Sequence, residues 1–446
     1  MPRRHHSSSD GSVLPQPPLV EIVFLGTASM VSSSTRHVSG IGVAIGGDCW
    51  IFDAGEGTNT QLAKSNVLQS AVSRIFVTHM HGDHVFGLMG LLLSVGCTGD
   101  MRDIQVVGPP GLRRYLRRNL AETQSSMKCR YHVDELWFHE PSKAENTNEG
   151  LYSPFEDAGF NVLPREDGTW AVPPRTVDMP DEICRVFAGP LKHTLEPCYG
   201  FVVQERDYPG RIELSDVVKA RLMSDENKAF LLGRGIANPL TLLSQLQHGT
   251  PSVDLVDGVL TSADVMTESK SGRRITILGD TCDSRAVAKL AVGSDVLVHE
   301  CTNAYIDSMD AGHTTREEVE AATYCHGHST PHGAGRFAHA VQCDQLVLTH
   351  FSRRYKDDCS MEPVMERIKH QVREHFTTGT IECAHDLELI LVPMPKAVKY
   401  NDAQKAFEIA SAAADASKAV AIAYYKAHGA VLAALPERSR RLLGLD

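Results

Sequence analysis

Thr78-His79-Met80-His81-Gly82-Asp83-His84 places three imidazoles and a carboxylate within six residues. Just before it, Arg74-Ile75-Phe76-Val77 reads as a short buried strand; just after it, Val85 to Leu93 reads as an apolar helix start. The cluster therefore sits on a strand-to-helix loop, where backbone turns aim several side chains at one point. His79 and His81 are two residues apart and share one side of an extended loop start. Asp83 and His84 lie beyond the Gly82 turn and are placed to face a second ion. Imidazole nitrogen with carboxylate oxygen suits zinc and also admits manganese or iron. A polar loop of solvated histidines explains one isolated histidine better than it explains H-x-H-x-D-H between a strand and a helix.

At 446 residues the chain buries a large core, and its length admits one to three domains. No apolar run approaches the length of a bilayer span, so no membrane contact is expected. The eleven cysteines are odd in number and contain no C-x-x-C pair. That pattern suits reduced thiols inside a cell, in cytoplasm or nucleus with an organelle left open, better than a disulfide framework. The net charge of −11 argues mildly against a large nucleic-acid surface. A whole-chain sum still leaves room for a basic patch, and for positive charge brought by divalent ions.

In chain order, residues 1–18 are polar, rich in Ser and Pro, and read as a disordered tail in which His5 and His6 are not ligands. Val20 to Leu25 is a strand; Gly42 to Ile45 and Trp50 to Phe52 form a hairpin around Gly46-Gly47-Asp48. It runs into Asp53-Ala54-Gly55-Glu56-Gly57, and a helix opens near Gln61. Asp53 is suited to accept the second N–H of a ligating imidazole, or else to serve as a turn or cap residue. Beyond a strand at Ile104 to Val107, Arg113, Arg114, Arg117 and Arg118 form a helical stripe, a solvated face that is also the clearest phosphate-contact candidate. Residues 139–181 read as a loop-rich insertion with a strand or two.

The theme of the first cluster then recurs. A strand at Arg185 to Ala188 leads to Leu191-Lys192-His193, and another covers Tyr199 to Gln204. Residues 205–262 leave the sheet as an arm, with a helix over Ser215 to Met223. The strand Arg274 to Leu278 delivers Asp280, Val296 to Val298 delivers His299-Glu300, and Gln345 to Leu348 delivers Thr349-His350. Apolar strands that each end in Asp, Glu or His turn a motif into a site. Gly312-His313-Thr314-Thr315 and Gly327-His328-Ser329-Thr330 each precede a helix, and the pattern alone does not choose between His313 and His328. Residues 396–446 form a helical C-terminal extension, alanine-rich from Asp402 to Leu435, with Phe407, Ile409, Val420, Ile422 and Tyr424 as apolar contacts and no evident chemistry.

Taken together, FLGTAS, FDAGEGT, THMHGDH, LKHTLEPCYGF, GDT, HECT, GHST and LTHFSRRY resemble the short form of tRNase Z, the transfer RNA 3′-processing endoribonuclease of the metallo-β-lactamase superfamily. The resemblance covers roughly residues 20–395 and is poor at about 139–181 and 222–262. It implies an α/β fold, a four-layer αββα sandwich over 19–395 with two zinc ions at one edge. Position by position it implies His79, His81 and His193 on one zinc, Asp83, His84 and His350 on the other, and Asp280 between them. It selects His328 over His313, pairs it with Glu300 to protonate a leaving oxygen, and gives Asp83 the nucleophile's proton. In another role, Glu300 and His328 only support the metal ligands. Precursor tRNA is the implied substrate, with Arg353 of the last motif beside it, and a homodimer the implied assembly.

The arm departs from the family pattern. Glu205 to Arg234 carries six acidic and six basic side chains where the family has a basic, Gly/Pro-rich clamp. That balance keeps open a dinuclear-zinc phosphodiesterase or aryl sulfatase acting on a small ester. A non-catalytic homologue is disfavoured because every expected ligand position is filled.

Overall fold

Alternate residues along the strands bury on opposite faces, which is what a sheet covered on both sides requires. Val20, Ile22 and Phe24 enter one core while Val23 and Leu25 enter another; Val296 and Val298 likewise oppose Leu297. A computed structural model describes residues 18–97, 103–142, 145, 153–175, 183–208, 210–247, 249–394, 396 and 401–445. The expected tail therefore lies, but for its last residue, outside the described residues, as do parts of 139–181.

The chain opens with β1 (Val20–Gly26), β2 (Gly40–Ile45), β3 (Asp48–Ala54), β4 (Val72–Phe76), β5 (Ile104–Gly108) and β6 (Tyr131–Leu136). Three two-residue strands follow: β7 (Glu156–Asp157), β8 (Asn161–Val162) and β9 (Trp170–Ala171). Then come β10 (Cys184–Leu191), β11 (Cys198–Glu205), β12 (Ser252–Leu255), β13 (Gly258–Thr261) and β14 (Arg274–Leu278). The last are β15 (Val296–Glu300), β16 (Gln345–Thr349), β17 (Thr380–Cys383) and β18 (Leu389–Leu391). One sheet runs β18-β1-β2-β3-β4-β5-β6-β7 with β8 also on β6, and the other runs β17-β16-β15-β14-β11-β10-β9.

The two sheets face each other across a core that includes Phe52, Phe76 and Phe201. Phe52 and Phe76 stack at 4.7 Å between ring centroids, and Phe201 tilts onto Phe76 at 5.2 Å. Helices Leu88–Val95 and Leu112–Glu122 cover the outside of the first sheet, and Pro331–Val341 and Glu362–Arg373 the outside of the second. This is the αββα sandwich. Strands β14, β15 and β16 are mutually parallel, so their carboxyl ends open on one edge.

The arm holds more order than its sequence suggests. Helices Asp216–Leu222, Asp225–Gly233 and Thr241–Gln247 and the β12–β13 hairpin enclose their own small core of Leu222, Leu231, Leu242, Leu246 and Leu260. It also continues past 262, since Tyr208 bridges Lys270 and Ile212 bridges Met266 before the chain rejoins the sheet.

The C-terminal helix runs Ala403–Ala427, followed by shorter helices at Gly429–Ala433 and Glu437–Leu443. Its buried side chains are Ala406, Ala410, Ala414, Ala421 and Tyr425, while Phe407, Ile409, Val420, Ile422 and Tyr424 are half-buried. Small residues form the contact because two backbones approach closely there. Among the described residues no helix is long and apolar enough to cross a membrane, and all eleven cysteines are free.

Candidate metal centre

Strand β4 ends at Phe76, and the chain then turns through Thr78 into the short helix Gly82–Val85. Asp53, at the end of β3, anchors that turn: its carboxylate accepts from the Thr78 amide and hydroxyl, both at 2.8 Å. Its Oδ2 also lies 2.7 Å from Nδ1 of His84. Asp53 therefore touches both the Thr78 turn and His84, with Nε2 of that ring left on the side of the centre.

The ring nitrogens of three histidines converge. Nδ1 of His81 lies 2.9 Å from Nε2 of His79 and 3.1 Å from Nε2 of His193. Oδ2 of Asp280 stands 3.7 and 3.8 Å from the latter two nitrogens. Its other oxygen, Oδ1, stands 3.4 Å from Nε2 of His84 and 3.3 Å from Nε2 of His350. Asp83 Oδ2 completes that second set, 3.6 Å from His84 and 3.4 Å from His350. All seven residues singled out as ligands therefore come together, and one carboxylate faces both groups.

Glycine keeps the approach open. Gly327 has a φ of +78°, and a Cβ there would meet His193 Nδ1 and the Thr194 amide nitrogen at 2.7 Å each. In its place the Gly327 carbonyl lies 2.8 Å from His193 Nδ1, which turns Nε2 inward. His350 itself sits at a φ of +59°, a left-handed conformation uncommon outside glycine and typical of functional sites.

The donor set fits a cation. Burial holds His79 well below the usual histidine range and brings His193 down to about 4, and the neutral imidazole is the form that ligates. Burial opposes charge on Asp280 and Asp83 as well, but the surrounding histidines keep both carboxyls below the usual range. Nε2 of His84 is buried with no hydrogen-bond partner. Converging lone pairs, an orphaned ring nitrogen and two carboxylates form an unsatisfied cluster unless a metal is present.

Beside this cluster His328 Nδ1 lies 3.0 Å from Oε1 of Glu300. Glu300 is 1% exposed and also accepts from the Thr281 amide at 2.8 Å and the Thr302 hydroxyl at 2.7 Å. Burial disfavours charge on His328, but the Glu300 carboxylate and its hydrogen bond prevail and lift it to about 9. His328, His81, Asp83, His193 and Asp280 line an open cavity of about 940 Å³, whereas His313 is exposed and outside it.

The arginine stripe divides. Arg113 turns inward and donates to the carbonyls of Val133 and Phe160 and to Asn161 Oδ1, and Arg117 is gripped by Glu156 at 2.6 and 2.9 Å. Leu112, Leu116 and Leu120 bury that side of the helix and carry these arginines with them. Arg114 and Arg118 stay exposed, and none of the four lines the cavity; Arg353 does. Three participants went unread in the sequence. Thr302 Oγ1, 3.0 Å from His350 Nδ1, was visible only as a letter of HECT. Phe86, 69% exposed at the cavity, gave no signal beyond its place after the motif. Arg438 of the C-terminal segment also lines the cavity, and nothing local marks it.

Comparison with known proteins agrees with this geometry. The family model described as "Anti-Pycsar protein Apyc1" matches residues 20–146. Zinc phosphodiesterase ELAC protein 1 of Homo sapiens is 32% identical over 397 residues, spanning 84% of this chain and 99% of its own length. Ribonuclease Z of Microcystis aeruginosa is 34% identical over 346 residues, spanning 77% of this chain and 88% of its own. The crystal structure of human tRNase Z, short form, superposes with a TM-score of 0.52 at 26% identity, covering 84% of this chain and all of that one. With the αββα sandwich in place and relatives above 30% identity matched along most of their length, this chain belongs to the ribonuclease Z family.

Proposed function

We propose that this protein is a metal-dependent endoribonuclease that removes 3′ trailers from precursor tRNA. It hydrolyses one phosphodiester, leaving a 3′-hydroxyl on the tRNA body and a 5′-phosphate on the trailer. The observation that carries the reading is the division of Asp280, whose two oxygens face separate donor sets beside a His328–Glu300 pair. In this reading His79, His81, His193 and Asp280 hold one zinc ion, and Asp83, His84, His350 and Asp280 hold another. Such ions act as Lewis acids and make water a nucleophile near neutral pH.

The chain's own groups supply the rest. Asp83, fixed by the Met30 amide at 2.6 Å, orients the attacking water and takes its proton. His328, aimed by Glu300, passes a proton to the departing 3′-oxygen as the P–O3′ bond breaks. Phe86 offers a face for a base to stack on, and Arg353 offers a phosphate contact, with exposed Arg114 and Arg118 further out. Two copies pair, each arm serving its partner's cavity. Exposed Val217, Leu232, Val256 and Val259 on the arm support that assembly, and a monomer mass in light scattering would remove it. The free cysteines support a reducing compartment inside a cell, cytoplasm or nucleus with an organelle left open.

Cleavage assays on precursor tRNA test the reading, with release of an intact trailer by wild type and none by His81→Ala. The charge-balanced arm favours one competing reading, a small-ester phosphodiesterase or aryl sulfatase. Turnover of bis(p-nitrophenyl) phosphate with precursor tRNA left uncut would decide for it.

A further inference from the structure

The C-terminal segment lies beyond residues 20–395, the stretch whose motifs resemble the family, yet it reaches the cavity. The helix Arg316–Cys325 explains how. One side of it, with Ala322, Thr323 and then His326, lines the cavity. The other, with Ala321, Tyr324 and Cys325, packs against Ala421, Tyr425 and Leu443 of the extension. The helix Glu437–Leu443 is pinned by buried Ser439 and Leu443, and Arg438 projects from it to the cavity wall.

Its neighbours in that helix are already engaged, Arg441 with Glu437 and Arg440 with the Leu435 carbonyl. Arg438 is exposed and has no hydrogen bond or ion pair among the described residues, and the same is true of Arg353. These two are the only Lys or Arg side chains among the described residues lining the cavity. An RNA strand entering there brings a negative charge with each nucleotide, in a chain of net charge −11 whose arm is charge-balanced.

We infer that Arg438 and Arg353 form a two-point clamp on the phosphodiester backbone of the RNA next to the scissile bond, so that the C-terminal extension completes the substrate site. The inference rests on the proposed endoribonuclease activity and adds a phosphate-binding residue to it. A planar guanidinium donates two parallel hydrogen bonds to a phosphate, and an unpaired one at a cavity wall is free to do so. Arg438 is not catalytic here; it positions the strand.

Steady-state kinetics of the full chain on precursor tRNA and on bis(p-nitrophenyl) phosphate test this, comparing wild type, Arg438→Ala, Arg438→Lys and Arg441→Ala. Loss of one charged contact raises KM for precursor tRNA about tenfold in Arg438→Ala with kcat held. It also lowers the slope of log affinity against log salt by about one. The lysine variant regains part of the loss, Arg441→Ala matches wild type, and the small ester, too short to reach the clamp, is turned over equally by all. An unchanged KM in Arg438→Ala, with wild type cutting tRNA, overturns the clamp and leaves the endoribonuclease reading standing. Equal losses on both substrates overturn it too, because they mean the extension only braces the helix before His328. Wild type that cuts no precursor tRNA overturns both.

Discussion

Oδ2 of Asp53 lies 2.7 Å from Nδ1 of His84, and the opposite nitrogen of that ring is buried without a hydrogen bond. The carboxylate belongs to the end of β3 and the imidazole to the short helix after β4, so the contact orients the ring across two neighbouring strands. Asp53 accomplishes this from a φ of +59°, a conformation that aspartate tolerates better than most residues.

Asp53→Ala is therefore expected to weaken metal binding by about 10- to 100-fold, the usual effect of losing a partner behind a ligating histidine. Competition with a chelator, read by metal content after dialysis, measures it. Retention equal to wild type would show that His84 needs no such support.

His328→Ala should reduce kcat on precursor tRNA by about 10²- to 10⁴-fold, the typical worth of a positioned general acid. Metal content should stay constant, since the ring is not among the seven proposed ligands. The defect should shrink on bis(p-nitrophenyl) phosphate, because p-nitrophenolate leaves without a proton and a ribose 3′-oxygen does not. Equal defects on the two substrates would argue for a supporting role.

Stability should depend on pH through His332, which lies on the helix Pro331–Val341 and does not line the cavity. Burial lowers its pKa to about 4, with His375 Nε2 at 3.3 Å and Glu374 at 3.8 Å beside it. Between about 4 and the ordinary 6.5 the unfolded chain binds a proton that the folded chain refuses. Stability thus falls as pH drops through that window, by up to about 1.4 kcal/mol per pH unit, and is flat above it. Urea midpoints at pH 5 and 7 for wild type and His332→Gln check this, the variant showing the smaller difference.

Arg273 and Glu205 form a buried pair at 2.7 Å, and Arg273 also donates to the Pro18 carbonyl. Both are about 2% exposed, and although burial opposes charge on Glu205, its bonds to Arg273 hold its pKa below the usual range. Arg273→Ala leaves the carboxylate the residue-273 amide and the Tyr208 hydroxyl but no countercharge, and should cost about 3–5 kcal/mol, while joint replacement of both by apolar residues should cost far less. Denaturant unfolding of the single and double variants gives the comparison.

The candidate donors stood out in the sequence because each follows a short apolar run that reads as a buried strand, and the family resemblance then assigned them to ions. The sandwich was legible for the same reason: β14, β15 and β16 are continuous buried runs. Three features were not. The arm's small leucine core is assembled from helices of seven to nine residues, too short for periodicity to stand out. In the arginine stripe, spacing gave the helical face but not which way the face turned, and Glu156 and Asn161 lie 39 and 48 residues downstream of the arginines they hold. Arg438 reaches the cavity only because alanine-faced packing brings the chain's end there, and such packing is silent in a one-dimensional pattern.

The donors are split between the two halves of the molecule: His79, His81, Asp83 and His84 follow β4 of one sheet, and His193, Asp280 and His350 follow strands of the other. A bound cation is consequently a rivet through the seam between sheets, binding the native state and not the unfolded chain. At a thousandfold excess over its dissociation constant such a ligand adds about 4 kcal/mol to folding. Loaded protein should then resist proteolysis along that seam, and stripping it should loosen the two halves together.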